Sequence, residues 1–155
     1  MNEYLVVKWL HVLSSTILFG TGIGSAFYML VAGLHRDPRV VFFVTRWVVI
    51  ADWIFTTTAV IVQPLTGFYL VYLAKIPLTA PWIAWSIALY LLAGVCWLPV
   101  VWMQVRMREM AREAVAQGTR LPARYLRFFR VWALLGIPAF LALVVVFYLM
   151  VAKPS

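Results

Sequence analysis

Four long apolar stretches run along this chain, and three short polar breaks separate them. The first stretch extends from about Tyr4 to Leu34 and stops at His35-Arg36-Asp37-Pro38-Arg39, where charge and proline coincide. The second runs from about Val40 to Ala74, with Pro64 inside it as a kink candidate, and ends in the proline-flanked turn Lys75–Pro81. The third is apolar from Trp82 to about Met103, and its helical pattern then continues into water through Arg106, Arg108 and Arg112. Gln117-Gly118-Thr119-Arg120-Leu121-Pro122 ends it, and the fourth stretch covers about Tyr125 to Ala152. About 20 apolar residues take a helix across the hydrocarbon of a bilayer, so each stretch is long enough to span. The runs are continuous rather than alternating, which selects helices over barrel strands. The pattern predicts an all-α fold: one integral membrane domain over residues 1–155, built as a four-helix transmembrane bundle.

Within the stretches, polar and small residues fall into stripes at helical spacing. Lys8, His11, Ser15, Gly22, Ser25 and Met29 share one face of the first helix, and Gly20 and Gly24 form a small-xxx-small pair beside it. The second helix carries Asp52, Thr56, Ala59, Gln63 and Gly67; the third carries Ser86, Tyr90 and Gly94; the fourth carries Arg130, Ile137, Leu141 and Tyr148. These stripes are expected to face one another inside the bundle.

Composition agrees with lipid as the solvent: 65% of the 155 residues are hydrophobic and 12% are charged, too few to cover a core in water. The formal charge of +8 comes largely from a basic segment at about residues 104–124 and just beyond it. In a membrane protein such a segment marks the cytoplasmic side, and this reading is preferred to nucleic-acid binding. Arg36 and Arg39 then lie on the same side, and both termini and Lys75 on the other. The first stretch is too long for a cleaved leader, and Glu3 spoils a basic start, so it is expected to be a span. Cys96 sits alone in an apolar run and reads as a small buried hydrophobe.

Depth decides which polar groups can meet. His11 and Gln63 each lie roughly 10 Å below the same end of the bundle, with Tyr90, Tyr148, Lys8 and Met150 at comparable levels. Asp52 lies deeper, and an ionisable residue there is expected to be paired, with Arg130 or Arg46 as the cation. The expected reading of that pair is a structural ion pair, with a proton relay as the alternative. A neutral imidazole such as that of His11 suits haem iron or a transition metal, but it also serves as an interhelical hydrogen-bond partner. His35 stands roughly 36 Å further along the same helix, so the two histidines cannot flank one haem within a chain. A sixth ligand would have to be Met150, Lys8, water or a group from another subunit. One cysteine and two distant histidines make no zinc site.

Lys8-Trp9-Leu10-His11-Val12 followed by Phe19-Gly20 resembles the first helix of the bacterial HemJ-type protoporphyrinogen oxidases and their copper-resistance-D-like relatives. Gln63-Pro64-Leu65-Thr66-Gly67 is similar to the proline-then-glycine stretch of that family's second helix. Arg127-Phe128-Phe129-Arg130-Val131, then Pro138, then Val151-Ala152-Lys153-Pro154 resembles its closing segment. The likeness follows the whole chain in order and points to an uncharacterised branch of that superfamily. It implies a protein of the bacterial inner membrane that binds haem b, with His11 at the ligand position and Arg130 at the arginine of the final motif. Two departures stand against porphyrinogen oxidation itself. The third helix lacks the family's lysine, and Gly136-Ile137 stand before Pro138 in place of an acidic residue.

The leading expectation is therefore a haem-b membrane protein in electron transfer, or in porphyrin- or quinone-linked redox chemistry. His11 would be the iron ligand, Gln63 and Tyr148 pocket neighbours, and Arg130 a propionate partner. The alternative is a non-enzymatic assembly subunit or small-solute transport component, working as a homo-oligomer or within a membrane complex. A weaker third idea is copper handling through Met103, Met107 and Met110.

Overall fold

The computed structural model describes residues 2–154, and among them all regular structure is helical. Helix α1 spans Glu3–His35; Asn2 caps its start by accepting from the Tyr4 amide, and Arg36 ends it in the left-handed region. Asp37 then caps α2, Pro38–Ala51, with Pro38 in the first turn where its missing N–H costs nothing. A π-helical turn, Asp52–Thr56, joins α2 to α3, Thr57–Leu73, so the two helices form one continuous span. Helix α4 runs Pro81–Gln117 and is closed by Gly118 at φ +64°. Helix α5 runs Ala123–Ala152. Four helices are thus long and apolar enough to cross a membrane: Glu3–His35, Pro38–Leu73, Pro81–Gln117 and Ala123–Ala152.

The packing is uneven along the bundle. At the basic end, α1, α2, α4 and α5 enclose a core of Met29, Val41, Val48, Met107, Tyr125 and Trp132. Gly33 of α1 lies flat against the Phe129 ring of α5, in space that a side chain would fill. Met103 and Met107 are buried in this core and Met110 packs against it. That placement gives these thioethers a packing role, filling gaps between helices.

Toward the end that holds both termini, the bundle resolves into pairs, α1 on α3 and α4 on α5. Phe19 links the pairs, stacking on Phe140 and meeting Phe147 edge-on, at ring-centroid distances of 5.4 and 5.1 Å. A second link crosses from α4 to α3, where the Tyr90 hydroxyl donates to the Val60 carbonyl at 2.8 Å. Most large apolar side chains of the four spans point outward, as they do when lipid is the surrounding medium.

Candidate functional site: two polar junctions on the second span

The seam between α1 and α3 is closed by a ladder of polar contacts. The Tyr69 hydroxyl donates to the Glu3 carboxylate, and the Ser14 hydroxyl donates to the Ala59 carbonyl at 3.3 Å. Between them lies His11. Its Nδ1 is 2.9 Å from Thr66 Oγ1, and its Nε2 is 3.1 Å from Gln63 Nε2. The Thr66 hydroxyl also donates to the Val62 carbonyl at 2.7 Å. With that proton committed, Thr66 Oγ1 accepts from Nδ1–H, and Nε2 is the lone-pair nitrogen that accepts from the Gln63 amide. Gln63 Oε1 is buried without a partner.

Gly67 completes this junction. A β-carbon there would stand 3.1 Å from His11 Cε1, so the absent side chain is what lets the imidazole lie against α3. Gln63, Thr66 and Gly67 fall on one face of α3 because three- and four-residue steps return to the same side of a helix.

The second junction lies at the π turn. Asp52 is 4% exposed, and its Oδ1 accepts from the Thr56 hydroxyl at 2.8 Å. Gln104 of α4 lies beside the same carboxyl. Gln104 is itself 3% exposed, and its Oε1 has no partner. The Asp52 main-chain carbonyl accepts from the Thr57 amide and hydroxyl, the five-residue reach that defines a π turn.

This arrangement corrects the expected ion pair. Among the described residues no cation pairs with Asp52; Arg46 and Arg130 are both exposed, and Arg46 lies over the Trp47 ring. The guanidinium groups lie on the outside of the bundle, and a neutral hydroxyl serves the buried carboxyl instead. The ion pairs present join Glu109 to Arg108 and Arg112 along α4, at 2.9 and 2.7 Å.

Of the other residues singled out, His11 and Gln63 are brought together, and four are not. Tyr148 is 66% exposed on the outer face of α5, and Met150 is exposed on the same helix. Lys8 is exposed with its ammonium over the Tyr4 ring, and Arg130 is exposed. Level along the membrane placed Tyr148 and Met150 beside His11; their direction around the helix axis turns them away. Thr66 and Gln104 complete the two junctions and were outside the expected set. Thr66 stands three residues from Gln63, and Gln104 directly follows Met103.

Two cavities accompany these junctions without including His11. One, of about 170 Å³, is an apolar groove between α1 and the second span, lined by Leu10, Ser14, Ile17, Phe55, Thr58 and Ala59. The other, of about 250 Å³, lies at the basic end between Arg106, Glu109, Glu113 and Arg124. Among the described residues, no three His, Cys, Asp or Glu side chains come together to hold a metal ion.

Comparison with known proteins bears on the chain as a whole. Neither a curated protein nor a solved structure matches it. A family model described as "Predicted integral membrane protein (DUF2269)" matches residues 5–154. That match concerns the membrane character seen in the four spans, while the likeness to HemJ-type proteins rests on the short motifs alone. From the first span to the last, the chain belongs to the DUF2269 family of predicted integral membrane proteins.

Proposed function

We propose that this protein is a membrane redox component whose working site is the His11 junction, with His11 as axial ligand to a b-type haem. The observation that carries the reading is the contact of His11 Nδ1 with Thr66 Oγ1, whose own proton goes to the Val62 carbonyl; Nδ1 is then the donor, and Nε2 keeps the lone pair. A ligating histidine is oriented in this way, by a hydrogen bond at the nitrogen away from the metal.

The donor set suits such a group on two further counts. Gln63 meets Nε2 through one amide hydrogen bond, and its Oε1 has no partner to lose when the side chain turns aside. Gly67 keeps the ring edge free of a side chain. A bound haem b would supply reversible one-electron chemistry, with a quinone or porphyrin in the same membrane as electron partner. The residues of this chain do the rest: Thr66 orients the imidazole, and Gln63 guards its open nitrogen. Lys8 lies over the Tyr4 ring and Met150 is exposed on α5, so His11 would be the residue of this chain that holds such a group.

A specific observation favours one other reading. Both imidazole nitrogens are satisfied within the protein, and neither cavity borders them. On that reading His11 is a lock between α1 and α3 in a non-enzymatic subunit of a membrane complex.

The visible spectrum of detergent-purified protein, oxidised and then reduced, separates the two. A Soret band with sharp reduced α and β bands, lost in His11→Ala, is the expected result. A colourless preparation from haem-replete cells would sink the haem reading and leave the lock.

A further inference from the structure

The cavity at the basic end is lined by charges that its own side chains leave unpaired. Glu109 gives both carboxylate oxygens to arginines on its own helix, Arg108 and Arg112, at 2.9 and 2.7 Å. Among the described residues, no ion pair engages the other charged groups of the lining, Arg106, Arg124 and Glu113. All three are exposed, around a space of about 250 Å³.

Toward the membrane this cavity gives way to an aromatic surface. Trp102 stands one turn further into the span from Arg106, and Phe128 one turn from Arg124, each on the same face by a four-residue step. The two rings meet across the seam of α4 and α5 at 5.5 Å, and Trp102 is 55% exposed. The Arg124 guanidinium lies over the Phe128 ring at 5.2 Å. In the other direction along α4, Glu113 follows Arg106 two turns nearer water. The order along the seam is therefore apolar rings, two guanidinium groups, then a carboxylate. Arg106 is also the first charged residue of α4. It stands roughly 38 Å from Pro81 by the helical rise, past about 30 Å of hydrocarbon and so among headgroups.

We infer that this cavity binds the headgroup of one membrane phospholipid of the phosphoethanolamine class. A phosphodiester carries one negative charge and accepts from guanidinium groups, which Arg106 and Arg124 offer from two helices. The ammonium group, a short linker away, donates to the unpaired Glu113 carboxylate. The acyl chains run the opposite way, over the Trp102–Phe128 pair. Chains, phosphate and amine thus meet side chains of matching character in matching order. A glycerol headgroup offers Glu113 no cation, and a choline headgroup offers one without an N–H to donate. Free phosphate makes no use of the aromatic pair. The site shares no residue with the His11 junction and stands apart from it.

Native mass spectrometry of the detergent-purified, delipidated protein tests this, with phosphatidylethanolamine, phosphatidylcholine and phosphatidylglycerol of identical chains as probes. One phosphatidylethanolamine per chain is expected at concentrations where the other two leave the protein mostly free. The double variant Arg106→Gln/Arg124→Gln is expected to bind it about tenfold more weakly. Glu113→Gln is expected to keep an adduct but lose the preference over phosphatidylglycerol. These side chains are exposed, so the variants leave the packed core intact. Equal retention of the three lipids by the wild-type protein would overturn the inference. So would unchanged binding in the arginine variant, or an unchanged preference in Glu113→Gln. Displacement of the lipid by an equal concentration of inorganic phosphate or soluble phosphoethanolamine would mean a site for the free anion, and would also refute it.

Discussion

The Tyr90 hydroxyl donates, at 2.8 Å, to the carbonyl of Val60, the residue whose oxygen Pro64 leaves without a donor inside its own helix. A proline has no N–H to offer the carbonyl four residues back, and in lipid no water can stand in for it. The proline inside one span and the phenol of the next are therefore a matched pair.

Removing the phenol should cost stability only while the proline is present. Tyr90→Phe is expected to destabilise the protein by about 1–2 kcal/mol, the cost of a buried carbonyl left unpaired. In a Pro64→Ala background, where an amide is restored to Val60, the same change should cost much less. Unfolding in mixed micelles with rising detergent denaturant, run as a double-mutant cycle, measures the difference. Equal costs in both backgrounds would show that Tyr90 acts through packing alone.

The His11 junction predicts a second non-additive pair. Thr66→Val removes the acceptor of Nδ1–H and should destabilise by about 1 kcal/mol. His11→Ala should cost less in that background than in the wild-type protein, because the two side chains share one hydrogen bond. Gly67→Ala tests the same place by space: its methyl would press on the imidazole at 3.1 Å. A modest loss is expected there, and it should vanish when His11 is already alanine.

Gly33 makes a close helix contact at the basic end. Gly33→Ala drives a methyl into the Phe129 ring and should cost about 1–3 kcal/mol, the range for overpacking a close-fitted core. Phe129→Leu is expected to recover part of that loss when combined with Gly33→Ala. Thermal inactivation in detergent, followed by loss of the monodisperse peak, reads both.

At the far end of α4 the constraint is backbone conformation rather than space. Gly118 sits at φ +64°, and nothing stands where its β-carbon would be. Thr119 N–H bonds back to the Ala114 carbonyl at 2.9 Å, and Gly118 N–H to that of Val115 at 3.3 Å, closing the helix. Gly118→Ala should therefore cost about 1 kcal/mol, with no change in the packing of α4 on α5. Gly118→Asn should cost less, since asparagine tolerates this region better.

The four spans were legible because hydropathy over 20 residues is a property of the sequence itself. The meeting of His11 with Gln63 was legible too, since residue number along two antiparallel helices fixes relative height. Direction around the axis was not. Tyr148 shares the height of His11 but faces outward from α5. Gln104 was passed over because it follows the last strongly apolar residue of its span, where a glutamine reads as the beginning of the water side. Helix α4 instead continues through it, and the side chain is buried. Asp52 was assigned an arginine because charge invites charge; a threonine one turn along meets it without desolvating a guanidinium.

The charges on α1 have a consequence for how deeply the molecule sits. From Lys8 to Arg36 the helix rises roughly 42 Å, close to the thickness of a bilayer with its headgroups. Arg106 and Arg124 meet at the basic end, and Lys153 lies over the Trp82 ring at the other. Sliding the bundle either way would draw one ring of cations into hydrocarbon. The protein therefore has one vertical berth in the membrane, and an unusually thick or thin bilayer must deform to meet it.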